Sequence, residues 1–79
     1  MVVLSQDKKI VMKASGFAIE RNLGGKEKKF AIVNIPSNEL AATKILGYYS
    51  DEKAAVDELM NLFEAYENGE KTYEFSFQE

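Results

Sequence analysis

An α+β fold is what this sequence predicts: an antiparallel sheet of four to six strands with one amphipathic helix packed on one face, in the order β-β-β-β-β-α-β. Three observations lead there. Helical periodicity is sustained in a single stretch, Ser50 to Gly69. Short segments rich in β-branched and aromatic residues, separated by turn residues, fill the rest. Strands do not alternate with helices, so only one βαβ unit could exist and an antiparallel arrangement is the economical solution.

The helix is expected over Asp51–Asn68. Ser50 can cap it, its side-chain oxygen accepting from an orphan N–H of the first turn. Asp51 and Glu52 place negative charge at the positive end of the helix dipole, and Gly69 suits the left-handed position that ends a helix. Ala55, Val56, Leu59, Met60, Leu62, Phe63 and Tyr66 gather on an arc of roughly 160°. Packing is expected through Val56, Leu59, Leu62 or Phe63, with Lys53, Asp57, Asn61, Glu64 and Asn68 on the opposite side.

Before the helix, Val2–Leu4 and Lys9–Lys13 read as a hairpin about the turn residues Ser5 to Lys8. Phe17, Ile19 and Arg21 alternate with Ala18, Glu20 and Asn22 as a half-buried strand does. Gly24-Gly25 marks a turn, and Lys29–Ile35 is apolar on both faces, which predicts a central strand. Pro36 ends it. Residues 37–42 fit either a helical turn or a loop, and Thr43–Tyr49 is a strand in which Gly47 marks a bend or a close approach. After the helix, Lys71–Phe77 alternates strictly, with Tyr73, Phe75 and Phe77 on one face.

The 79 residues make a single domain, 1–79, with a small core. Cysteine and histidine are both absent. Disulfides, thiolate metal sites and Cys–His or Ser–His–Asp catalysis are therefore excluded. No cofactor is expected. The net charge of −3 argues against a general nucleic-acid binder. No apolar run approaches the roughly 20 residues that span a bilayer, so a cytoplasmic chain without membrane contact is expected.

Leu46-Gly47-Tyr48-Tyr49-Ser50 followed by Glu52 and Ala54 or Ala55, after an opening LSQDKKIV, resembles small proteins of Gram-positive bacteria and their phages or prophages. The likeness covers most of the chain and implies no activity and no functional residues. The opening MVV and the KEKK hairpin tip depart from that pattern.

Three surfaces remain as candidates. Arg21, Lys26, Lys28 and Lys29 form a basic hairpin tip that could contact phosphate or an acidic partner. Asp57, Glu58, Glu64 and Glu67 form an acidic helix face that could meet a basic surface as a decoy for nucleic acid. Tyr73, Phe75 and Phe77 on the last strand are candidate interface residues. A chain this short, without a covalent or metal staple, is expected to gain stability as a homodimer through that strand. The expected role is a non-enzymatic interaction or structural module with a protein partner; weak nucleic-acid contact through the lysine tip is the alternative.

Overall fold

The structure, a computed structural model, describes residues 1–37 and 43–76. Residues 38–42 and Phe77 lie outside them, so neither the alternative at 37–42 nor a role for Phe77 is addressed. The elements follow the predicted order: β1 (Val2–Leu4), β2 (Val11–Lys13), β3 (Phe17–Arg21), β4 (Phe30–Asn34), β5 (Ile45–Tyr49), α1 (Glu52–Glu67) and β6 (Thr72–Glu74). No helix among the described residues is long and apolar enough to cross a membrane.

The expectation of one antiparallel sheet is corrected. The strands form two three-stranded sheets, β2-β1-β6 and β3-β4-β5. Within the first, β1 and β2 are antiparallel but β1 and β6 are parallel, with Val3 beside Tyr73. A parallel pair needs a long connection, and nearly the whole chain runs between these two strands. The chain changes sheets at Ala14–Gly16: Ala14 N–H donates to Met1 C=O on one side, and Gly16 C=O accepts from Ile35 N–H on the other.

Each turn is held by its own polar residues. Ser5 Oγ accepts from Ile10 N–H at 3.0 Å and donates to Asp7 Oδ1 at 2.6 Å. Asp7 also accepts from Lys9 N–H, and these donors hold its carboxyl below the usual range, the Ser5 hydroxyl contributing most. In the β3–β4 hairpin, Asn22 Nδ2 donates to Lys28 C=O at 2.8 Å. A Cβ on Gly25 would collide with that same carbonyl oxygen, which explains the second glycine of the pair.

β4 is central, as predicted, and is buried from Ala31 to Asn34. Its register with β5 shifts between Ile32 and Val33. The extra residue lets Leu46, Gly47 and Tyr49 all be buried while Ile45 and Tyr48 stay exposed. The close approach at Gly47 comes from a side chain: a Cβ there would lie 2.6 Å from Tyr49 Oη.

α1 lies against β3, β4 and β5. Asp51, not Ser50, is its N-cap, with Oδ1 accepting from Ala54 N–H at 2.8 Å. Gly69 ends it at φ 76°, as expected. Glu70 N–H donates to Ala65 C=O and Gly69 N–H to Tyr66 C=O, a complete Schellman closure. The packing face agrees with the expected one at Leu62 and Leu59 and departs from it elsewhere. Ala55, Glu58 and Leu62 are the buried residues, and Leu59 is partly buried. Val56 and Phe63 stand 39% and 52% exposed. The apolar arc is wider than the strip that a three-stranded sheet can cover.

The core joins Val3, Ile32, Leu46, Tyr49, Ala55, Leu62 and Phe75. The Phe75 ring meets Phe17 at 6.2 Å and Tyr73 edge-on at 5.2 Å. Gln6 links the two sheets. Its N–H donates to Leu46 C=O, its Oε1 accepts from Tyr48 N–H, and its Nε2 donates to Tyr48 C=O and Ser76 C=O. The side-chain amide thus stands where a neighbouring strand of β5 would be.

Candidate functional site

The helical residues left outside the core define the site. Met60, Phe63 and Tyr66 are 55%, 52% and 70% exposed and follow one another at intervals of three on a continuous face of α1. With Leu59 they make one wall of a groove of about 590 Å³. Ala14, Ser15 and Phe17, where the chain passes between sheets, make the other. The volume falls within the range of about 300–1,000 Å³ usual for ligand pockets. The lining, which includes Met1, is apolar and aromatic apart from Ser15, and the outer wall is open to water. Sequence reasoning placed all three exposed residues on the apolar arc of the helix and named Phe63 among its packing residues. The width of the apolar arc was the available signal, because a helix on one small sheet cannot bury it all.

The rim on the helix is acidic. Glu64 lies one turn after Met60, and Glu67 one turn after Phe63. Both are exposed, and neither has a salt-bridge partner among the described residues. No basic residue lies in the last turn of α1. These carboxylates therefore sit at the negative end of the helix dipole, where negative charge is unfavourable. Near the other end, Lys53 pairs with Asp57 at 2.8 Å.

Glu58 leaves the predicted acidic face. It is 5% exposed, because it lies three residues after Ala55 and four before Leu62, on the row that meets β5 and β6. Tyr49 Oη donates to its Oε1 at 3.1 Å, Ser76 N–H to the same oxygen at 2.7 Å, and Tyr73 Oη to Oε2 at 2.5 Å. Burial, and then the charge and hydrogen bond of Glu58, raise the pKa of the Tyr49 hydroxyl well above its ordinary value. The Tyr73 hydroxyl is raised first by burial and then by its bond to Glu58.

The other predicted residues are placed as follows. Asp57, Glu64 and Glu67 are exposed on α1. Lys26, Lys28 and Lys29 are exposed at the β3–β4 hairpin, and the Arg21 guanidinium lies 5.7 Å from the centre of the Phe30 ring. On the expected interface strand, Phe75 is 1% exposed and Tyr73 packs on the core, while β6 pairs with β1 of its own chain and forms the edge of its sheet. No protein-family model, no curated protein and no solved structure matches the chain.

Proposed function

We propose that the chain is a non-enzymatic protein-interaction module that takes an apolar segment of a partner protein along α1. The observation that carries this is the groove of about 590 Å³ with Met60, Phe63 and Tyr66 more than half exposed beside it. Exposed contiguous apolar surface on a small domain marks an interaction site more often than an accident of packing. The lining supplies few polar groups with which to turn over a substrate. Histidine and cysteine are lacking, and the buried Glu58 carboxylate is engaged by three donors away from the groove.

Selection from a random peptide library tests the reading. Recovered sequences should carry apolar anchors at helical spacing, and Phe63→Asp should abolish their binding while circular dichroism stays unchanged. Peptides that bind Phe63→Asp as well as the parent would place the site elsewhere.

A further inference from the structure

The groove has an acidic rim as well as an apolar lining. We infer that its occupant is a basic amphipathic helix: an apolar face set into the groove, with lysines or arginines over Glu64 and Glu67. The inference rests on the interaction reading above and adds the chemistry of the partner.

Three features carry it. Helix-in-groove recognition sets the apolar face of an incoming helix along a groove, and Met60, Phe63 and Tyr66, at i, i+3 and i+6 on α1, give this groove a row of exposed apolar contacts along its length. Glu64 and Glu67 border those anchors, exposed and without a salt-bridge partner among the described residues. They also stand at the negative end of a helix dipole whose last turn carries no basic residue. A partner's cations would relieve that accumulation of negative charge.

A second copy of the chain fits less well. Two α1 helices packed antiparallel about the groove, centred near Leu62, would bring Glu67 of one towards Asp57 of the other and set the two acidic rims side by side. Lys53, the one basic residue of α1, is already engaged by Asp57. Carboxylates would meet carboxylates, which disfavours self-pairing.

The test uses three labelled peptides of the same 16-residue length as α1, followed by fluorescence anisotropy. One has a leucine face and a lysine face, the second replaces lysine with glutamate, and the third keeps lysine but replaces leucine with serine. The leucine–lysine peptide should bind the intact chain best. That binding should fall as salt rises from about 0.01 M to about 1 M, which shortens the screening length from roughly 30 Å to roughly 3 Å. Reversing the rim with Glu64→Lys and Glu67→Lys should weaken it about tenfold and shift preference to the leucine–glutamate peptide. The same reversal at Glu20 and Glu27, exposed on the β3–β4 hairpin, should change little beyond a general charge effect.

Equal binding of both leucine peptides, lost with Phe63→Ser, would overturn the basic partner while leaving the groove as an interaction site. Equal weakening by the hairpin reversal would reduce the effect to net charge and overturn it too. A doubled mass in light scattering that disappears with Phe63→Ser would make a second copy the occupant. Binding of no peptide, with no self-association, would overturn both this inference and the proposed function. Circular dichroism of each variant confirms the fold, which these solvent-facing positions should not disturb.

Discussion

Taking a carboxylate out of water costs several kcal/mol unless its oxygens find donors, and at Glu58 three donors converge. They come from β5, from β6 and from Ser76, so one side chain of α1 holds the final segment against the core. Tyr73→Phe removes the shortest of these bonds, made to a charged group, and should lower stability by about 1.5–3 kcal/mol in denaturant unfolding. Glu58→Ala leaves all three donors without their partner and should cost more, whereas Glu58→Gln keeps an acceptor and should fall between. The same cluster sets an alkaline limit. In the unfolded chain these tyrosines ionise near their ordinary value of 10.0, while in the folded chain burial and Glu58 hold them protonated above it. The unfolded state therefore loses protons first. The stability these groups contribute is fully present below about pH 10 and declines as pH rises beyond it. Tyrosinate absorbance from Tyr49 and Tyr73 should appear together with the loss of helical dichroism, and its appearance in a chain that is still folded would contradict their burial.

At the scale of elements, α1 separates what was legible in the sequence from what was not. Its extent and its glycine stop could be read directly, because capping and termination are local events. Its orientation could not. Apolar periodicity locates an arc, but which part of that arc touches the sheet depends on sheet width and on what lies alongside. Here β6 lies alongside: its Tyr73 hydroxyl bonds the buried Glu58, and Phe63, on another side of the helix, is half exposed. For the same reason the basic tip was visible in Lys26, Lys28 and Lys29, whereas the groove, which needs Ala14 and Phe17 from far along the chain, was not. The exact rotation is open to measurement. Leu62→Ala should cost about 2–5 kcal/mol, as truncation of a buried leucine does. Phe63→Ala, at a half-exposed position, should cost less than about 1 kcal/mol although it removes more atoms. The opposite ranking in thermal unfolding would mean that the helix is rotated by about one residue, roughly 100°. Division into two sheets escaped the sequence as well, because parallel pairing of β1 with β6 joins the two ends of the chain and leaves no local signal.

For the molecule as a whole, the question is what makes two small sheets and one helix behave as one body. Neither sheet is large enough to stand alone, since isolated strands of three to five residues pair only marginally. The shared core supplies most of the cohesion, and it is non-directional. Gln6 supplies direction. Its amide both accepts from and donates to Tyr48 and reaches the Ser76 carbonyl, so β5 of one sheet, the β1–β2 turn of the other and the segment after β6 are fixed in one register. The residue is 7% exposed, and an isosteric apolar side chain there would leave Tyr48 N–H without its partner in a nearly dry site. Gln6→Leu should therefore cost about 1–3 kcal/mol despite adding apolar surface. Gln6→Glu is the sharper variant. It keeps an acceptor for Tyr48 N–H, but once ionised it can no longer donate to the carbonyls of Tyr48 and Ser76. Protonation restores one donor, so this variant should lose less stability in acid than at neutral pH relative to the parent. Hydrogen exchange at the Tyr48 amide gives an independent readout. It should accelerate strongly in Gln6→Leu while the amides inside the β3–β4 ladder, whose partners are untouched, accelerate only with the global loss of stability. Uniform acceleration would mean that the core alone holds the sheets together and that Gln6 merely fills space between them.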